Sequence, residues 1–501
     1  MSNDLLVQLR SYGDFFETDL PVMDADSVVA GNPLPVLIEF RPPQPPPGKH
    51  PVRRLALAAA IVVAVVVVTV VFAVQSRDES PPVITQVSTT LTPPTPPLLS
   101  SLSWSRVPYD EAVFGGEFEQ EMNSVTVGGP GLVAVGQAGP GGDAIHKRAA
   151  VWTSLDGITW DRVPHDEAVF GGAIFGGATM FSVTAGGPGL VAVGEDGDAG
   201  AAVWTSPDGI NWSRVHDEAV FGESVLEGVM RSVTVGGPGL VAVGGDRSGQ
   251  GATSNAVVWT SVDGITWARV PHSDAIFGRK EVNRCCTSMS SVTVGGPGLV
   301  AVGLDWPGDG EDERAAVWTS VDGIDWSRVP HDEAVFGDAW MNSVTAGGPG
   351  LVAVGADEER AVVWTSPDGI AWSRVPHDGA VFGGEEAPPA CCGAGMSSVT
   401  VGGPGLVAVG SDFMRSMTLA NGEWVIVAAV WTSVDGIDWS RVPHDEAVFE
   451  APPRPELAIR SITAGGPGLV AVGANTVHDY WATHNDSGES DAAVWVAVPG
   501  E

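Results

Sequence analysis

Six histidines stand at matching places along this chain, each beside carboxylates: His165, His216, His272, His331, His377 and His444. Each heads a segment close to His-Asp-Glu-Ala-Val-Phe, and Tyr109 takes the histidine's place in one further copy. Imidazole next to carboxylate is the raw material of metal sites and of general acid–base pairs. A metal, however, needs three or four ligands meeting at about 2 Å. One histidine per copy at a fixed position is spread out, so the expected role is structural, with no metal and no other cofactor.

Two other residue types invite chemistry. Cysteine occurs as two adjacent pairs, Cys285-Cys286 and Cys391-Cys392. In an oxidising compartment these are disulfide candidates, linked between two loops or vicinally, while their spacing gives metal binding little support. Of 18 tryptophans, 14 recur in two fixed positions and are expected to pack between repeats. Four do not recur, and all are expected in loops: Trp306, Trp340, Trp424 and Trp481. With Tyr109 and Tyr480 they are the candidate ligand platform, the competing reading being that they pack on their own hairpins.

The elements that carry these residues repeat. The string Gly-Gly-Pro-Gly-Leu-Val-Ala-Val-Gly begins at Gly128, Gly186, Gly236, Gly295, Gly347, Gly402 and Gly465, seven copies 50 to 63 residues apart. An alternating stretch such as Ser124-Val125-Thr126-Val127 precedes each copy, and an Ala-Val-Trp or Val-Val-Trp run follows it. Both flanks read as strands. An Asp-Gly turn then leads to a short fourth strand ending Trp-x-Arg, because Gly accepts positive φ and Asp bonds the turn backbone. Each repeat is thus a four-stranded meander, and stacking the meanders in a ring would bury faces that a lone one leaves wet. The predicted fold is an all-β, seven-bladed β-propeller over residues 103–501.

The repeat and the chain are out of phase. A bare fourth strand, Trp104-Ser105-Arg106-Val107, opens the region, and the last repeat holds a third strand, Val494-Trp495-Val496, with no fourth before Glu501. Pairing the two would close the ring by its N-terminal strand and leave no sheet edge at the seam. The Gly-Gly-Pro-Gly and Asp-Gly turns then share one nearly invariant face. The loops between second and third strands and the connections between blades share the other, where length varies and binding is expected.

Upstream, Leu55 to Val74 is 20 residues long with no charge, enough for about 30 Å of helix. Lys49, Arg53 and Arg54 before it predict a cytoplasmic tail at 1–54, a transmembrane helix at 55–74, a Pro/Ser/Thr-rich stalk at 75–102 and an extracytoplasmic C-terminal region. A cleaved signal peptide fits less well, since 54 residues precede the run. Sixty-one acidic against 25 basic residues give a net charge of −36, which repels nucleic acid and anionic lipid and favours cations or basic partners, so no nucleic-acid partner is expected. Only three lysines, with Ala, Gly, Val and Pro abundant, suggest a high-GC bacterial origin.

The turn Thr-Ser-x-Asp-Gly-Ile-x-Trp, present six times from Thr153–Trp160 to Thr432–Trp439, resembles the Asp-box of bacterial neuraminidase-repeat propellers, Ser-x-Asp-x-Gly-x-x-Trp, shortened by one residue. The resemblance implies that Asp156, Asp208, Asp263, Asp322, Asp368 and Asp435 are scaffold in a turn away from any active face. Too few oxygens lie near each for a calcium loop. Sialidases of this family use an arginine cluster for the substrate carboxylate, a tyrosine nucleophile with a glutamate, and an aspartate acid. Here Arg106, Arg162, Arg214, Arg269, Arg328, Arg374 and Arg441 all fall in fourth strands, at the outer edge, where charge would blunt exposed sheet. No family motif surrounds Tyr109 or Tyr480, so no catalytic residue is assigned. The expected function is a membrane-anchored, monomeric binding module that takes a glycan or protein ligand on its variable face. The alternative is a sialidase-like glycoside hydrolase acting on extracellular glycans.

Overall fold

A computed structural model describes residues 102–500 apart from 117–118, 140–146, 173–176, 198–199, 222–227, 247–254, 279–285, 307–312, 358–359, 384–394, 416–423, 451–455 and 477–489. In the first repeat Glu119–Gly128, Gly131–Gly139, Arg148–Ser154 and Trp160–Arg162 pair in that order as an antiparallel meander. Five such four-stranded sheets stand separately. The last two repeats merge into one eight-stranded sheet through a single parallel bridge, Ile426 to Glu456. The all-β architecture of four-stranded antiparallel sheets is consistent with a propeller.

The second strands carry apolar residues on both faces because both faces are covered. Val133 and Val135 pack with Met180, Val183 and Trp204 of the second repeat. Leu132 and Ala134, pointing the other way, pack with Val470, Val472 and Val494 of the last. First strands follow one another in a circuit, so that Glu119–Gly128 touches both Ala178–Gly186 and Glu456–Gly465. The N-terminal strand Leu102–Arg106 lies antiparallel to Ser490–Pro499, with Trp104 opposite Ala497 and Arg106 opposite Trp495. It supplies the fourth strand that the last repeat lacks.

On the invariant face the turns interlock. A Cβ on Gly129, whose φ is +57°, would lie 2.7 Å from the Asp208 carbonyl of the next repeat, and Gly403 meets Leu102 of the N-terminal strand instead. Within each Asp-Gly turn the carboxylate caps the backbone: Asp208 Oδ1 accepts from the N–H groups of Ile210 at 2.9 Å and Asn211 at 2.7 Å. The Trp212 indole donates to the Gly209 carbonyl at 2.9 Å. Hydrogen bonds from the Asn211 backbone first, then from its side chain and from Ile210, hold the Asp208 pKa down to about 2 from 3.8. A carboxylate with a depressed folded pKa stabilises above its unfolded pKa and loses that contribution as pH falls through the folded one. Lowering the pH from 3.8 to about 2 should therefore erase the stability difference between the protein and Asp208→Asn. Thermal melts across that window check it, and a constant difference would refute it.

The connections between repeats contain an element not read from the sequence. Glu111–Phe114 and its six counterparts each form one helical turn. Asp110 caps the first by accepting from Ala112 N–H at 3.0 Å, Phe114 is buried, and the Trp152 indole donates to the Val113 carbonyl at 2.8 Å. Six of the seven turns anchor a third-strand tryptophan in this way; among the described residues the buried Trp259 indole nitrogen has no acceptor.

The membrane expectation is corrected. Among the described residues no helix is long and apolar enough to cross a bilayer. The helices there have four residues each, about 6 Å at 1.5 Å per residue against the roughly 30 Å of a hydrocarbon core. Leu55 to Val74 lies outside the described residues, as do the tail and most of the stalk. The single-pass localisation is not retained.

Candidate functional site

Every first strand bulges at one place. Its register against the second strand shifts between Met122 and Ser124, and likewise between Met180/Ser182, Met230/Ser232, Met289/Ser291, Met341/Ser343, Met396/Ser398 and Ile459/Ser461. A bulge re-aims the extra residue. Facing it is a glycine, for which a Cβ on Gly136 would sit 1.9 Å from the Glu121 carbonyl. The serine after the bulge ties neighbouring repeats together. Ser124 Oγ accepts from Val183 N–H at 3.2 Å, and Ser461 Oγ accepts from Val125 N–H at 3.3 Å across the seam.

The bulge residues themselves are Asn123, Phe181, Arg231, Ser290, Asn342, Ser397 and Arg460. The two asparagines reach the first strand of the next repeat: Asn123 donates to the Met180 carbonyl at 3.0 Å and Asn342 to Met396 at 2.9 Å. Arg460 donates to Asn123 Oδ1 at 2.9 Å and to Glu121 Oε1 at 3.0 Å. The network continues outward, because Gln137 donates to Glu121 Oε2 at 2.8 Å and accepts from the Thr179 hydroxyl at 2.8 Å. Arg231, exposed, lies with its guanidinium 5.7 Å from the Phe181 ring centroid. Arg460, Asn123, Phe181 and Arg231 thus occupy consecutive repeats, with Arg460 on Asn123 and Arg231 on the Phe181 ring. Ser290, Asn342 and Ser397 complete the circle.

The candidate residues from the sequence fall in different places. Trp340 begins the first strand Trp340–Gly347, two residues before Asn342, so it belongs with this circle and not with a loop. Trp424 begins the third strand Trp424–Ser433, because the second and third strands of the sixth repeat extend as a long hairpin in which Arg415 pairs with Trp424. Trp306 follows a second strand and donates its backbone N–H to the Cys286 carbonyl at 3.0 Å. Tyr109 is 52% exposed, and its hydroxyl donates to Asp491 Oδ1 of the last repeat at 3.3 Å. Tyr480, Trp481, Cys285, Cys391 and Cys392 lie outside the described residues. Four of the histidines, His165, His272, His331 and His444, are held by a nearby carboxylate, as His165 is by Glu167 at 2.9 Å and His331 by Glu333 at 2.9 Å.

The fourth-strand arginines differ from expectation. They do not blunt an open edge; six of the seven turn over the third-strand tryptophans, with Arg214 at 5.3 Å from the Trp204 ring and Arg328 at 5.5 Å from Trp318. Arg214, Arg269, Arg328, Arg374 and Arg441 also pair with Asp196, Asp246, Asp305, Asp357 and Asp412, seven residues after the glycine that opens each second strand. The tryptophan face and the buried carboxylate stabilise a guanidinium that would otherwise stay in water.

No protein-family model and no curated protein matches this chain. Among solved structures it is similar to Sqt1 of Chaetomium thermophilum, with 12% identity over 77% of this chain and 97% of that one and a TM-score of 0.40. It is also similar to the sialidase of Trypanosoma rangeli, with 14% identity over 78% of this chain and 56% of that one and a TM-score of 0.35. A third is the α-L-arabinofuranosidase Arb93A of Fusarium graminearum, with 14% identity over 65% of this chain and 97% of that one and a TM-score of 0.34. At such identities the chemistry has to come from this chain's own residues.

Sequence reasoning missed the bulge circle. The signal was present as one variable position inside Met-x-Ser-Val-Thr, where Asn, Phe, Arg and Ser alternate while the neighbours stay fixed. Strict alternation hides such a residue, since only a bulge sends it inward.

Proposed function

We propose that residues 102–499 form a seven-bladed β-propeller of shortened Asp-box type, closed by Leu102–Arg106, and that it binds a glycan at the circle of bulge residues. The observation that carries this reading is where the frame varies. Met, or Ile459 in the seventh repeat, and Ser on either side of the bulge hold the scaffold, and the residue between them is free to differ from repeat to repeat. A rigid frame with a few polar groups and aromatic rings at one place is the usual form of a ligand site. The Arg231 guanidinium and the second N–H of the Asn123 and Asn342 amides suit vicinal hydroxyls, and the Phe181 and Trp340 rings suit the apolar face of a sugar.

A glycan array probed with the purified protein tests this. Binding should fall about tenfold or more in Phe181→Ala combined with Arg231→Ala, about 1.4 kcal/mol per tenfold. Binding unchanged in that variant would sink the assignment. Glycoside hydrolysis is the second reading, favoured by the Tyr109 hydroxyl lying on the Asp491 carboxylate. Turnover of a fluorogenic sialoside, lost in Tyr109→Phe or Tyr480→Phe, would make the protein an enzyme and not a binding module.

A further inference from the structure

The arginine slots are not alike in all repeats. In the fourth repeat Asp305 receives two guanidiniums, Arg328 from the fourth strand at 2.6 Å and Arg314 from the start of the third at 3.1 Å. In the fifth, Asp357 receives Arg374 at 2.9 Å and Arg360 at 3.0 Å. Burial, the largest influence, pushes the Asp305 carboxyl up, but Arg328 together with hydrogen bonds from Thr287, Arg328 and Arg314 outweighs it and holds the pKa below 3.8. The slot is therefore one that keeps a carboxylate ionised. In the seventh repeat, where Asn475 replaces the aspartate, Asp491 stands opposite it across the ladder.

The first repeat keeps both arginines and lacks the acid. Ala138 pairs with Arg148 as Asp305 pairs with Arg314, and Trp152 pairs with Arg162 as Trp318 pairs with Arg328. Arg162 packs its guanidinium 5.7 Å from the Trp152 centroid, half-buried, and among the described residues no carboxylate meets it. Burial alone lowers its pKa from 12.5. Arg148 makes one exposed contact, to Glu167 at 3.7 Å, with side chains 50% and 69% exposed. Such a surface pair is weak and exchangeable. A half-buried guanidinium without a counter-charge is costly, and a planar pair of them matches a carboxylate in geometry.

We propose that Arg148 and Arg162 form a binding site for the carboxylate group of a ligand, which enters above Ala138 where the fourth and fifth repeats hold their own aspartates. The ligand is a carboxylic acid that presents the group on a slim stem, since the slot is shaped for an aspartate side chain. The site is at the outer part of the first repeat and separate from the bulge circle, so it stands whether or not the circle binds a glycan.

Acetate is the probe, titrated into the full-length protein against sodium chloride at equal ionic strength. Saturating acetate should raise the melting temperature by about 1–3 °C beyond chloride and shift the Arg162 side-chain nitrogen resonance. Ala138→Asp places the acid within the chain and should remove both responses, and Arg162→Gln, which keeps the backbone and much of the volume, should remove the thermal one. Equal effects of acetate and chloride on the unmodified protein would overturn the proposal. So would an acetate response that survives in both variants, or a response to inorganic phosphate with none to acetate.

Discussion

A chain that begins at Val107 is expected to lose cooperative unfolding. Removing Leu102–Arg106 strips the fourth strand from the last repeat and opens the edge of Ser490–Pro499 to solvent and to other chains. It also uncovers the core in which Trp104, 9% exposed, packs with Phe449 at a centroid distance of 6.4 Å. Trp104→Ala alone should cost about 3–5 kcal/mol. Its loss is one of apolar packing only, because the Trp104 indole nitrogen has no acceptor among the described residues, whereas Trp160 donates to the Gly157 carbonyl of its own turn at 2.9 Å. No Asp-Gly-Ile turn precedes the orphan strand to supply that carbonyl. Denaturant melts and light scattering of the shortened chain check this. A single transition at the same midpoint as the full chain, with no aggregation, would mean that the ring does not depend on its closing strand.

The second large effect should come from a methyl group. In Gly244→Ala the new Cβ would lie 1.8 Å from the Val229 carbonyl, a backbone atom with nowhere to go while the bulge at Met230/Ser232 persists. Overpacking of this kind costs about 2–3 kcal/mol. It should also displace Arg231, the bulge residue, so melting temperature and glycan binding fall together. The adjacent Gly245→Ala is the control, since Glu195, Leu304, Ala356 and Ser411 occupy that position in other repeats. Equal melting temperatures for the two variants would show that the bulge tolerates a side chain opposite it.

Much of the fold was legible because its determinants are local. Asp-Gly between two β-rich runs specifies a hairpin whatever surrounds it, and six aspartates in these turns do cap backbone N–H groups, as Asp156 does for Ile158 at 2.8 Å. The pairing of Trp104 with Ala497 followed from a mismatch of phase that can be counted along the chain. The single helical turn at Glu111–Phe114 was not legible, because four residues carry too little periodicity to mark a helix. Placing Trp340 and Trp424 in loops failed for a related reason: strand length varies from repeat to repeat with no turn residue to announce where pairing stops.

The candidate sites were harder to see. Arg328 and Asp305 are 23 residues apart and Glu121 and Arg460 are 339 apart, so neither pair leaves a mark in any short window. By itself the sequence determined the repeating unit, the number of its copies and the strand that must complete the last, since turn chemistry and the two-residue alternation of strands act between neighbours. Only the tertiary structure decided that the arginines turn in over tryptophan, that the bulge gathers Asn123, Phe181, Arg231 and Arg460, and that Arg148 and Arg162 stand in register where Arg314 and Arg328 hold Asp305. Which side chains converge depends on where separate strands are laid down together, and that is settled by packing between repeats.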